Sequence, residues 1–442
     1  MGVNIIVKHI SSTFINALQN NFKISPTGHR LVTGVFWNVI SGVISRGAAL
    51  LSTIVIARIV GKEAFGEFGI IQSTIMMMGI FASFGTSMMA TKYVAEYRYT
   101  DSDKVNRILG LSIGVSWFFG GVASLLLIVF APWIAAQTIA APHLSSMLQI
   151  GAIYLLFSSL NGAQIGALSG FEAFKTISKI NLILGVMSFP IIGVGAYTFG
   201  LTGALWGYNI SALLNCVLCQ YFLKKVMSNL GNRNDYRNCL KEWSVLWKFS
   251  LPAMLANTLV GPVTWACNVM LVNQPNGFAE MGVYSAATQW RQLMLFFPGL
   301  ISQVALPIMA ATHKVSAYQQ IKSNFYFNII ITLPLLALLS VCSPFIMRSY
   351  GSSFSDSWPV LLLVLCAAFL QVLQSPIVTY WAATGRMWTN FIANIFWGSS
   401  LVTFSWLLIE KGAVGLSLAL LVSFAIYGLL LVFVNITIAR EI

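Results

Sequence analysis

Residues 31–69 read LVTGVFWNVISGVISRGAALLSTIVIARIVGKEAFGEFG, and this stretch decides the fold. Its first part is an uninterrupted apolar run of about one bilayer thickness at 1.5 Å per helical residue. One arginine, Arg46, sits in the middle. On a helix, Asn38, Ser41, Ser45, Arg46, Ala49, Ser52 and Thr53 share one face. Val35, Val39, Val43, Leu50 and Ile54 form the opposite face, suited to lipid or protein. A charge at mid-span costs about 2.5–3.5 kcal/mol on insertion scales, so Arg46 is expected to face a polar interior. Residues 57–69 then read as a tight glycine-bounded turn into a second membrane helix.

Outward from that stretch the pattern repeats. The chain has 442 residues, 57% hydrophobic and only 8% charged, against about 25% charged in soluble domains. Successive apolar runs predict a polytopic membrane protein of twelve spans, with the division between spans six and seven in the polar segment Lys224–Lys248. The organisation expected is residues 1–30 as a cytoplasmic or interfacial segment, with an amphipathic helix over Val3–Phe22. An N-terminal lobe follows at 31–228, then a linker at 229–244 and a C-terminal lobe at 245–442. The net charge of +13 does not indicate nucleic acid, because the basic residues lie between spans. Nineteen of them fall on the side that holds both termini, and only Arg58, Lys62, Arg348 and Lys411 on the other. Both termini are therefore expected in the cytoplasm.

The halves repeat in sequence. Gly66-Glu67-Phe68 matches Gly282-Val283-Tyr284, Gly170 matches Gly385, and Asn181 matches Asn394. Gly200-Leu-Thr-Gly203 matches Gly412-Ala-Val-Gly415, the offset drifting from 216 to 212. An even number of spans per half makes the repeat parallel, with a pseudo-twofold axis along the membrane normal and a substrate site between the halves.

All twelve carboxylates fall in loops or at span edges. The intramembrane charges are Arg46 and Arg291, both positive. Thr288 and Gln292 accompany Arg291 on span eight, Asn257 and Asn268 lie on span seven, and Asn38 and Ser45 on span one. Two guanidinium groups among amides and hydroxyls suit an anionic group that bears sugars. The other reading, arginines bonded to backbone carbonyls and amides joining helices, stays open at this point. Prolines 252, 262, 298 and 307 mark bends in spans seven and eight that a gating motion could use. Cys216 and Cys219 form a CxxC within an apolar run and read as packing residues. There is no GxxxxGK[ST] loop and no histidine or cysteine constellation, so no cofactor, metal or catalytic residue is expected.

The segment ARIVGKEAFGEFG, with Gly282-Val-Tyr-Ser-Ala-Ala and the two Gly-x-x-Gly stretches, resembles the Wzx-type polysaccharide biosynthesis flippases. These belong to the superfamily that also holds multidrug extruders and peptidoglycan-precursor flippases. The resemblance covers about 31–438. It implies an all-α protein of two six-helix lobes around a central cavity lined by helices 1, 2, 7 and 8. It further implies a bacterial inner-membrane location, and an undecaprenyl-diphosphate-linked oligosaccharide as substrate, as in O-antigen and lipopolysaccharide assembly. Polysaccharide polymerase and chain-length proteins are the implied partners. A cation-coupled extruder of the same fold is the rival and should carry a buried carboxylate. A membrane enzyme should carry a large catalytic loop.

Overall fold

The computed structural model describes residues 26–229, 238–251, 254, 258–310, 314–384 and 386–440, with side chains described from 41 onward except at 297, 300–320, 382–383, 387 and 435–440. The expected amphipathic helix over Val3–Phe22 lies outside the described residues, as does most of the linker.

The molecule is all-α. Helix α1 (26–60) and helix α2 (62–83) are continuous except at Gly61, whose φ of 83° and ψ of 176° turn the chain between them. Only glycine adopts that conformation without strain. A left-handed pair, Phe84 and Gly85, then offsets α3 (Thr86–Tyr97) from α2, so the second span is bent rather than straight. Asp101 caps α4 (Ser102–Trp133) by accepting from the Lys104 amide at 2.8 Å. Helix α5 (Ser145–Gly170) follows a short irregular passage. Helices α6 (174–198) and α7 (201–229) are parted by Phe199 and Gly200. The second half comprises α8 (Val260–Val272), α9 (Gly277–Ala310), α10 (Lys314–Val341), the short α11 (Ser343–Tyr350), α12 (Trp358–Ala383), α13 (Met387–Leu408) and α14 (Gly412–Arg440).

Among the described residues, seven helical stretches are long and apolar enough to cross a bilayer, and Gly61, Gly200 and Gly412 break three of them into helix pairs. Helix α4 shows the reason for the pattern. Phe118, Val122, Leu125, Val129 and Trp133 point outward, while Gly120, Ala123, Leu127 and Ala131 are buried. Large apolar side chains outside and small ones inside suit a chain whose solvent is hydrocarbon and whose helices meet through van der Waals contact.

The repeat is visible in the backbone. Gly200 and Gly412, paired by the sequence offset, have φ/ψ of 58°/−137° and 61°/−138°. Gly203 lies against the Gly195 carbonyl, and its counterpart Gly415 lies against that of Leu408. Two sharp glycine turns of one geometry, at equivalent positions, identify the halves as copies.

Two features depart from the sequence reading. Helix α11 and the 3-10 turn Ser352–Ser357 form an element that hydropathy did not separate from its neighbours. Pro262 sits in the first turn of α8, where no intrahelical donor is missing, so it starts that helix instead of bending it.

Candidate functional site

The halves meet along α1 and α2 on one side and α8 and α9 on the other. At the end marked by Gly61 the contact is backbone to backbone. A Cβ on Gly66 would fall 1.7 Å from the Phe278 carbonyl oxygen, and one on Gly282 would fall 2.3 Å from that of Lys62. The two glycines equated by the repeat thus face each other across the seam, as residues near a twofold axis must. Beside them Phe65 packs on Phe68, Tyr350 and Phe354, with ring centroids 6.0–6.2 Å apart and all four rings buried. Trp290 Nε1 donates to the Tyr350 hydroxyl at 3.2 Å. Helix α11 and its turn therefore contribute the C-terminal half of an aromatic plug at this end.

Further along, α2 and α8 are joined by polar contacts. Trp265 Nε1 donates to Thr74 Oγ1 at 3.0 Å, and Asn268 Nδ2 donates to Ser73 Oγ at 2.8 Å. Asn268 is thus an inter-half contact. Thr288 donates within its own helix to the Ser285 carbonyl.

Arg46 lies fifteen residues before Gly61, about 22 Å along the helix axis at 1.5 Å per residue. Its Nη1 donates to the Gln292 carbonyl of α9 at 3.3 Å, and its guanidinium sits 4.4 Å over the Phe296 ring. The same ring lies against Gly42. Arg46 is exposed despite these contacts. Arg291 precedes its acceptor residue by one position, and its own side chain turns toward α12. There Nη2 donates to Gln371 Oε1 at 2.5 Å, with Phe424 of α14 5.7 Å away. Its Nε is buried without a partner, although the residue keeps some exposure. No carboxylate lies within 4 Å of either guanidinium among the described residues.

The polar face of α1 is divided between neighbours. The Ser45 backbone lies against Gly185 of α6, while Arg46 reaches α9. Ser41, Ser52 and Thr53 are buried, and so is Leu50 on the supposedly apolar face. Asn257 and the side chain of Asn38 fall outside the described residues. Gln292 contributes its carbonyl to the seam, and its side chain is exposed. The sequence reading missed Gln371, Phe296 and Phe424. Gln371 carried a signal, an amide in a run of apolar residues, but nothing in the sequence tied it to Arg291.

A family profile described as polysaccharide biosynthesis protein matches residues 31–313. The chain belongs to that family. Its relatives include the EPS I polysaccharide export inner membrane protein EpsE of Ralstonia solanacearum, 22% identical over 91% of this chain and 92% of that protein. Among solved structures, the lipid II flippase MurJ in an inward closed conformation superposes with a TM-score of 0.72 at 18% identity, over 90% of this chain and 87% of that one. An inward-facing multidrug resistance MATE family transporter gives 0.69 at 13% identity, over 92% and 98%. At these identities the structures establish the fold, that of the superfamily named by the resemblance. Two kinds of relative are named for export or transport, EpsE and a putative O-antigen transporter of Shigella flexneri, the latter 20% identical over 78% of this chain and 82% of that protein.

Proposed function

We propose that this chain is a flippase for an undecaprenyl-diphosphate-linked oligosaccharide. It moves the repeat unit from the cytoplasmic to the periplasmic leaflet of a bacterial inner membrane by alternating access. The observation that carries the reading is Arg46, a guanidinium deep in the seam between the halves, exposed and without a carboxylate, one residue along α9 from the position of Arg291. An oligosaccharide diphosphate is too polar for hydrocarbon, and an unpaired charge there costs tens of kcal/mol in the Born limit. A polar seam with fixed guanidinium groups replaces water around the diphosphate, while the polyprenyl tail stays in lipid. Arginine holds phosphate oxygens in a bidentate fork and keeps its charge at every physiological pH. Export of a polysaccharide by EpsE and flipping of a lipid-linked precursor by MurJ support the same substrate class here.

In this proposal Arg46 and Arg291 bind the diphosphate, and Asn38, Ser45, Asn257, Asn268, Thr288 and Gln292 line the path. Arg291 reaches the substrate by exchanging Gln371, a neutral partner that is easily replaced by an anion. These contacts account for binding. Direction comes from elsewhere, because an affinity equal in both states shifts no equilibrium. Downstream polymerase and chain-length proteins are the natural consumers of the product.

The likeness to a MATE transporter keeps a second reading, a cation-coupled drug extruder. That chemistry calls for a carboxylate at depth. Among the described residues every Asp and Glu is in a turn or within the first or last two turns of a helix. Replacing Arg46 and Arg291 with alanine, singly and together, separates the readings. Surface polysaccharide should fall at least about tenfold, the loss of one charge-assisted contact, with membrane protein levels unchanged. Full display by the double variant, or an ethidium efflux defect in its place, would overturn the flippase reading.

A further inference from the structure

A second basic site lies away from Arg46, at the end of the seam marked by Gly61. The C-terminal turn of α1, the Gly61 turn and the loop after α11 enclose a cavity of about 480 Å³. Arg58, Arg348, Ser352 and Ser353 line it, and Gly61 and Gly351 form its backbone wall. Arg58 is held in place by its own Nε, which donates to the Ser349 carbonyl at 2.6 Å. Its terminal nitrogens make no hydrogen bond among the described residues. The Arg348 side chain has no hydrogen-bond or ion-pair partner among them, and no carboxylate lies within 4 Å of either arginine. Both side chains are exposed, as are the two serines.

This placement runs against the charge bias of the chain. Only four basic residues fall on the side opposite the termini, and two of them, from different halves, line one cavity. The charge bias that sets topology favours the other side, so it does not account for this pair. Two guanidinium groups with free forks, flanked by hydroxyl donors and with no neutralising carboxylate, match the oxygens of a phosphate or diphosphate. The volume accepts more than one phosphate group, and the cavity opens outward, so the rest of the ligand can extend beyond it.

We infer that Arg58, Arg348, Ser352 and Ser353 form a phosphate-binding site at the extracytoplasmic rim, distinct from the Arg46 seam. Its ligand is a phosphate group carried either by a membrane lipid or by a free anion. The site is built across the halves, with Arg58 from the first and Arg348 from the second. It is therefore complete only when the Gly61 end is closed, as in this structure.

The test uses the full-length protein in phosphatidylcholine nanodiscs. One arm titrates sodium pyrophosphate and reads heat of binding. The other replaces phosphatidylcholine stepwise with phosphatidylglycerol and counts retained anionic lipids by native mass spectrometry. Wild type should bind in at least one arm, and Arg348→Gln should weaken that binding about tenfold or more, as loss of a bidentate contact predicts. Arg58→Gln should do the same, and Arg58→Lys should keep part of the affinity. Binding of pyrophosphate alone identifies a free-anion site, and binding of phosphatidylglycerol alone identifies a lipid headgroup site. Arg348 supports nothing else in the fold, so wild-type binding by Arg348→Gln overturns the inference, as does absence of binding by wild type in both arms. Both arms are run in the Arg46→Ala, Arg291→Ala background as well, which removes pyrophosphate held at the seam, so the outcome is independent of the seam proposal.

Discussion

Five residues of the segment ARIVGKEAFGEFG have separate physical tasks. Ala57 is fully buried, and Arg58 reaches across to the Ser349 carbonyl. Gly61 takes the positive φ that turns α1 into α2, Phe65 fills the aromatic plug, and Gly66 lets two backbones touch. The glycines differ sharply in what they tolerate. Gly66→Ala places a methyl inside the Phe278 carbonyl, and the helices must separate to admit it. Such overpacking costs about 1–3 kcal/mol or more. Gly114→Ala meets nothing within 4 Å and gains about 1 kcal/mol of helix propensity. The apparent melting temperature in detergent is expected to fall for Gly66→Ala and to hold or rise for Gly114→Ala. Equal values for the two would remove the seam from the stability argument.

The periodicity of α1 made Arg46 legible as part of a polar face within a span, but not its partners. A helical wheel gives the angle of a side chain about its own axis. Whether that angle points at α6 or α9 depends on how helices far apart in sequence pack. Ser45 and Arg46 are adjacent in the chain and face different neighbours for that reason.

Between elements, the pairing of α2 with α9 decides whether the Gly61 end is open. Gly69 and Ser285 are suited to report it, since a Cβ on Gly69 would lie 3.0 Å from the Ser285 Cβ. Disulfides need about 3.5–4.5 Å, a gap that a small outward shift provides. The pair Gly69→Cys with Ser285→Cys is expected to crosslink under mild oxidant and to stop polysaccharide export. Reductant should restore it. Crosslinking without loss of export would mean that this seam never opens during transport.

A second joint anchors the linker. Arg107 Nε donates to Glu242 Oε1 at 3.1 Å, and Leu246 and Val245 pack with Met89, Leu111 and Val115. The end of the linker is thus pinned to α3 and α4 of the first half. Glu242, Val245 and Leu246, on either side of the boundary expected at 244, therefore pack on the first half. Composition marked this stretch as polar, but an interfacial strip that docks on its neighbour has the same composition as a loose one.

For the whole molecule, orientation is the property that links the seam to a direction of transport. The distribution of lysine and arginine predicts that Lys175 is cytoplasmic and Ser353 outside. Both residues are exposed, Lys175 at the start of α6 and Ser353 in the 3-10 turn. In intact cells, with the native cysteines replaced, Ser353→Cys is expected to react with an impermeant maleimide. Lys175→Cys should react only after permeabilisation. The reverse pattern would invert the topology and, with it, the proposed direction.

The sequence by itself determined the solvent of this protein, its helical content and its internal duplication, and it put arginines and not carboxylates within the spans. These follow from composition and local spacing, which hydrocarbon constrains strongly because every backbone polar group must be satisfied within the helix. Only the tertiary structure decided which glycines touch, that Arg291 turns to Gln371, and that Arg58 and Arg348 share a cavity. Those facts depend on contacts between segments 80 residues or more apart. In lipid such contacts are set by shape and by single hydrogen bonds, and neither leaves a periodic trace in the chain.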